Sequence, residues 1–94
     1  MTLTSDYQET IVTRINADPA FTQALLEDAT VLYLQGEANT AKATLHMLVK
    51  ATIGYEHLAA QIAKPRRSLQ LMLSRSGRLT TRNLAAIFQT LKQT

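Results

Sequence analysis

The sequence contains no cysteine and no tryptophan, and only three glycines and two prolines among its 94 residues. Without cysteine there is no disulfide framework, no thiolate zinc site and no cysteine nucleophile, and a cytoplasmic location is expected. The longest stretch without a formal charge, residues 83–91, is far shorter than the roughly 20 residues of a membrane helix. The first residues lack the basic and then apolar pattern of a secretory signal. We therefore expect one domain over residues 1–94 and no membrane contact.

The spacing of the apolar residues predicts an all-α fold. Glycine and proline are confined to the edges of segments, and apolar residues recur at intervals of three and four, the period of helices. We expect a compact domain of five or six helices. The first is short and amphipathic, with Ser5 or Asp6 as its cap and an apolar stripe of Tyr7, Ile11, Val12 and Ile15.

The second helix has two apolar sides. It is predicted to begin at Asp18 and Pro19, a capping residue followed by proline at the first helical position, and to end at Gly36. One side carries Leu25, Leu26, Ala29, Leu32 and Tyr33, and the other carries Phe21, Ala24, Val31 and Leu34. Such a helix is either deeply buried or contacts a partner. A third helix is expected over about residues 38–52, with Gly54 as a left-handed cap.

Formal charge divides the chain into two portions. Residues 1–37 contain six acidic residues and one basic residue, a net charge of −5, whereas residues 38–94 contain nine basic residues and one acidic residue, a net charge of +8. Six of those nine cations fall between Lys64 and Arg82. This asymmetry indicates a basic portion that binds nucleic acid, joined to an acidic helical portion of residues 1–37 with a different role.

Residues 55–74, with the sequence YEHLAAQIAKPRRSLQLMLS, have the pattern of a helix-turn-helix. A support helix of about residues 55–63 and a recognition helix of about residues 65–74 would meet through Leu58, Ile62, Leu69 and Met72. Ala59 is small enough to let the helices approach, and Pro65 begins the second one. A last helix, capped by Thr80 or Thr81, carries Leu84, Ile87, Phe88 and Leu91.

The outward positions of the recognition helix carry residue types suited to base edges. Arginine can bond guanine O6 and N7 together, and glutamine does the same for adenine, so base contacts are predicted for Arg66, Arg67 and Gln70. Leu71 could contact a thymine methyl group. Phosphate contacts are predicted for residues near the helix ends and in the following loop: Lys64, Ser68, Arg75, Arg78, Arg82 and Asn83.

Three segments extend this pattern over nearly the whole chain: DYQETIVTRI, TLHMLVKA, and LAAQIAKPRRSLQLMLSRSGRLTTRNLAAIFQTL. Together they resemble the Cro-repressor-like (XRE-type) helix-turn-helix family, and within it the addiction-module antidote proteins of HigA type. The resemblance implies a lambda-repressor-like DNA-binding fold in a bacterial antitoxin of a type II toxin–antitoxin module. Such a protein would act at the nucleoid as a homodimer, bind operator DNA, repress its own operon and neutralise a small RelE-like or HigB-like toxin.

The sequence departs from the family pattern at three positions. Ala63 stands where the turn usually has glycine, and Lys64 stands where an aliphatic residue is usual, which predicts an unusually built corner. Leu71 stands where relatives often carry arginine or another polar residue, so it is expected either to contact a thymine methyl group or to weaken or alter operator binding.

No residues form a pattern expected of an enzyme, a cofactor site or a metal site. His46 and His57 are eleven residues apart without a third ligand at a suitable spacing, and no serine has a histidine placed to act as its base. Two alternatives to an antitoxin stay open: a stand-alone or phage-type transcriptional repressor without a toxin, and a helical protein-interaction adaptor.

Overall fold

Six α-helices follow one another along the chain in this computed structural model, which describes residues 3–93, with side chains from Thr10 to Gln93. They are α1 (Leu3–Ala17), α2 (Pro19–Leu34), α3 (Ala38–Ala51), α4 (Gly54–Ile62), α5 (Arg66–Met72) and α6 (Thr81–Lys92). No strand occurs within that range. The prediction of an all-α fold with five or six helices is confirmed.

Side-chain caps begin α2 and α6 where the sequence predicts them. The Asp18 carboxylate accepts hydrogen bonds from the backbone N–H groups of Ala20 (3.1 Å) and Phe21 (3.3 Å). The Thr80 hydroxyl accepts one from the N–H of Asn83 at 3.2 Å. Each cap satisfies N–H groups that have no partner within the helix.

Two predicted helix starts are wrong. α1 already begins at Leu3, so Ser5 and Asp6 lie inside it and neither is its cap, because no proline or glycine interrupts the residues before them. The side chain of Tyr7 lies outside the described residues. Pro65 was expected at the first helical position, but it takes the extended backbone of a cap residue (φ −62°, ψ 142°), and α5 begins at Arg66.

Described side chains from all six helices form one core. The fully or almost fully buried apolar residues include Ile15 on α1, Leu26 and Ala29 on α2, Leu45, Leu48 and Val49 on α3, Leu58 on α4, Leu69 and Met72 on α5, and Leu84, Ile87 and Leu91 on α6. The radius of gyration is 12.6 Å, close to the value of about 12 Å expected for a compact chain of this length.

Helices α2 and α3 share the most extensive contact, and α4 contacts α3, α5 and α6. α5 is therefore attached to the rest of the molecule mainly through α4, and one of its sides is left uncovered. No helix among the described residues is long and apolar enough to cross a membrane.

Candidate nucleic-acid interface

The turn between α4 and α5 is built on a left-handed alanine. Ala63 has φ 57° and ψ 45°, and it is the only residue other than glycine with a positive φ among residues 3–93. The N–H of Lys64 donates to the carbonyl of Ala59 at 3.2 Å and closes the end of α4. An alanine in this conformation costs about 1 kcal/mol because its Cβ crowds the following carbonyl. The turn therefore has the left-handed backbone conformation that glycine favours, although the residue at this position is Ala63.

The two sides of α5 differ as the sequence predicts. Leu69 is fully buried and Met72 almost so, and both face the core. The predicted base-reading residues Arg66, Arg67, Gln70 and Leu71 are all exposed. Because residues four apart lie on the same side of a helix, Arg66 lies beside Gln70 and Arg67 lies beside Leu71. The structure brings the four together on one outward surface, which we call the α5 outer face.

Leu71 is an unusual member of this face. Leu71 is 60% exposed, which makes it one of three exposed large apolar residues in the described chain. The other two, Val31 and Leu34, lie on α2. The exposed part of this side chain is accessible to the thymine methyl group that the sequence predicts as its contact.

The residues predicted to contact phosphates surround the α5 outer face in the sequence and lie at the surface. Lys64, Ser68, Arg75, Arg78 and Arg82 are exposed, and Asn83 is half-buried. α5 itself is shorter than the expected 65–74, because Ser74 has left the helix and both its backbone N–H (3.1 Å) and its hydroxyl (2.6 Å) donate to the carbonyl of Leu71. Arg75 and Arg78 consequently lie in the loop between α5 and α6, residues 73–80.

Comparison of the chain with models of protein families, with curated proteins and with solved structures found no match.

A buried lysine holds the 73–80 loop. Lys42 on α3 is only 4% exposed, and its ammonium donates to the carbonyl oxygens of Arg75 (3.1 Å) and Gly77 (2.7 Å). From α2, the hydroxyl of Tyr33 donates to the carbonyl of Leu79 at 2.7 Å. Helices α2 and α3 thus hold in place the loop that carries Arg75 and Arg78.

Sequence reasoning missed Lys42 and Tyr33 as positioning residues. A signal for Lys42 was present, since it lies three and seven residues before Leu45 and Val49 and so interrupts the apolar face of α3. A lone cation in such a place must either reach the surface or find buried acceptors. Tyr33 had no comparable signal, because its partner is a backbone carbonyl 46 residues away.

Sequence reasoning also missed an ion pair at the start of α5. Nη1 of Arg66 donates to Oε1 of Glu56 on α4, at 3.2 Å. No other member of the cationic group Lys64, Arg66, Arg67, Arg75, Arg78 and Arg82 has an ion pair with a described side chain. Glu56 is also the only acidic residue in α4, α5 and the 73–80 loop.

The histidines show no arrangement for catalysis or metal binding. His46 and His57 are both exposed, and no group of three potential ligands forms among the described residues. Nδ1 of His46 lies 2.6 Å from the hydroxyl of Tyr55. Partial burial of its ring, and then the nearby charge of Lys50, lowers the pKa of His46, while burial raises the pKa of Tyr55 to about 12. Both pKa shifts favour the neutral forms of the two side chains, which lie within hydrogen-bonding distance of each other.

A second uncovered surface lies between α2 and α6, and we call it the α2–α6 patch. Leu34 is 71% exposed and Val31 49%. Leu34 borders a shallow apolar groove formed with Leu84, Ala85 and Phe88 of α6. The outer apolar side of α2 thus remains partly open to solvent, which leaves the predicted partner surface available.

Proposed function

We propose that this chain is a sequence-specific DNA-binding transcriptional regulator in which α4 and α5 form a helix-turn-helix. The observation that carries the proposal is the α5 outer face, which combines two arginines, a glutamine and an exposed leucine on one side of a short helix. In such motifs the second helix enters the major groove and the first supports it. Arg66, Arg67 and Gln70 have the hydrogen-bonding groups that read bases there.

The surrounding charge supports the same function. Lys64, Arg75, Arg78 and Arg82 are exposed cations without ion-pair partners among the described side chains. Contacts to phosphates would fix the position of the domain on the duplex. Since each neutralised phosphate releases counterions, affinity should fall with salt at a log-log slope of about −0.9 per phosphate contacted.

The experiment is a mobility shift on a duplex from the region upstream of the chain's own gene, with a shuffled duplex of equal length as competitor. Arg66→Ala and Arg67→Ala should each lower the specific affinity by about 10- to 100-fold, the discrimination of a good bidentate base contact. Lys50→Ala, an exposed cation on α3 outside this surface, should change it little. Binding that survives both arginine substitutions would contradict the proposed base contacts.

The regulator is proposed to act as a homodimer, because two copies related by a two-fold axis place recognition helices about 34 Å apart, one turn of duplex. The α2–α6 patch supports this, since its members Leu34 and Val31 are 71% and 49% exposed within the described chain. The flanking charges also allow self-complementary contact, since α2 carries Glu27 and Asp28 and α6 carries Lys92.

Leu34→Asp is expected to convert the dimer to a monomer in light scattering coupled to size exclusion, because a carboxylate would have to be desolvated in an apolar interface. Leu71→Asp is the matched control. It makes the same change at the other strongly exposed leucine and should leave the dimer intact while weakening DNA binding. A dimer that persists with Leu34→Asp would place the interface elsewhere.

As an antitoxin, the protein would also bind and neutralise a small ribonuclease-like toxin. The acidic portion of residues 1–37 would contact the toxin, which is expected to be basic. The test is co-purification with the product of a neighbouring small gene for a basic protein. If no such gene or complex exists, the stand-alone repressor is the better description. An adaptor role is favoured only if no duplex is bound.

A further inference from the structure

The ion pair between Glu56 and Arg66 joins the two helices of the proposed DNA-binding motif. Glu56 is the only acidic residue in residues 38–94, a portion with nine cations. It lies on α4, ten residues before its partner, and the two side chains meet across the turn at 3.2 Å. Of the two base-reading arginines, Arg66 is thus held by a carboxylate and Arg67 is not.

Stability does not explain this pair. The side chains of Arg66 and Glu56 are 57% and 85% exposed, and exposed pairs of this kind add little to folding because water and salt screen them. A carboxylate next to a phosphate-binding surface also repels DNA of any sequence. Glu56 therefore weakens the non-specific part of binding, and its presence needs another explanation.

The geometry of the contact offers one. A single bond through Nη1 leaves Nε and Nη2 of Arg66 as free donors. A guanidinium that is already held by a carboxylate loses less side-chain freedom when it meets a base, and it meets the base in a defined orientation.

We propose that Glu56 is a specificity-determining positioning residue that orients Arg66 toward a guanine edge and suppresses binding to unrelated DNA. This rests on the proposed function, since it concerns how the same face selects its sequence. Glu56 acts in two ways that can be separated. Its effect through Arg66 requires that arginine, whereas its repulsion of phosphates does not.

The test is a double-mutant cycle on the full chain, with Glu56→Gln, Arg66→Ala and the double variant. The ligands are the best duplex selected from a random pool and an unrelated duplex of equal length. Glu56→Gln should raise affinity for the unrelated duplex and lower the ratio of specific to non-specific affinity by about tenfold, a coupling typical of neighbouring groups in one network. In the Arg66→Ala background, Glu56→Gln should raise affinity for both duplexes by the same factor, so the ratio of specific to non-specific affinity should not change.

Arg67→Ala supplies the matched control, because Arg67 lies next along the same face without an ion pair to a described side chain. Glu56→Gln should reduce the specificity ratio as much in that background as in the wild type. Thermal unfolding should be nearly unchanged in all variants, since every altered residue is exposed.

Two results would overturn the inference alone. An equal loss of specificity on Glu56→Gln with and without Arg66 would show that the carboxylate does not act through that arginine. A gain in the specificity ratio would show that Glu56 competes with DNA for Arg66. If the wild type selects no sequence from the pool, the proposed function fails and the inference falls with it.

Discussion

Replacing Gly77 by alanine is expected to lower the free energy of unfolding by about 3 kcal/mol, the upper range for forcing extra volume into a packed site. A Cβ built on Gly77 would overlap the carbonyl oxygen of Leu71 and lie 2.6 Å from its carbonyl carbon. These are backbone atoms at the end of α5, so no side chain can move aside. The melting temperature should fall by about 15 °C, given the usual sensitivity of a domain of this size.

Gly54→Ala is the matched control for this substitution. Gly54 has φ +79° and nothing within 4 Å of the position that a Cβ would take. Alanine there meets only backbone strain, which should cost about 1 kcal/mol. Equal losses for the two variants in thermal or chemical unfolding would show that the 73–80 loop does not press against α5 as described.

Replacing Lys42 by methionine is expected to destabilise the protein by about 2 kcal/mol and to loosen the 73–80 loop. Hydrogen bonds from a charged donor contribute about 1.5–3 kcal/mol each, and two are lost, leaving the carbonyls of Arg75 and Gly77 to find water. Methionine also removes the desolvation cost of a buried ammonium group, which offsets part of that loss. Methionine retains most of the aliphatic stem, so the change tests the hydrogen bonds more than the packing.

Hydrogen exchange should show faster exchange in the 73–80 loop of this variant, and DNA affinity should fall because Arg75 and Arg78 lose their fixed positions. Lys50→Met makes the same change on the same helix at an exposed residue and should alter neither measurement. Unchanged exchange in the loop with Lys42→Met would mean that the ammonium bonds do not hold it.

Capping chemistry and apolar spacing explain why much of the fold could be predicted from the sequence. Asp18 and Thr80 cap their helices through N–H groups two or three residues away, so the whole interaction lies within one short segment. The inward positions Leu69 and Met72 follow from the period of the helix. Prediction failed at Ser5 and Asp6, which lie inside α1, and by one residue at Pro65, because small energies decide at which residue a helix begins.

In the candidate site, too, local features could be predicted from the sequence and contacts between distant residues could not. The outward orientation of Arg66, Arg67, Gln70 and Leu71 was predictable, because the buried side of so short a helix determines its exposed side. The hydrogen-bond partners of Arg66 and of the 73–80 loop could not be predicted. Glu56 lies ten residues from Arg66, and the carbonyl acceptors of Lys42 lie 33 and 35 residues away.

The amino-acid order alone was enough for the helical class, the main capping residues, the division of charge and the outer face of α5, since each depends on neighbours within a few positions along the chain. Only the tertiary structure decided that Ala63 adopts a left-handed backbone and that Lys42 is buried under the 73–80 loop. It also decided that Glu56 forms an ion pair with Arg66. Those features depend on how helices pack, and packing brings together atoms whose separation in the chain carries no local signal.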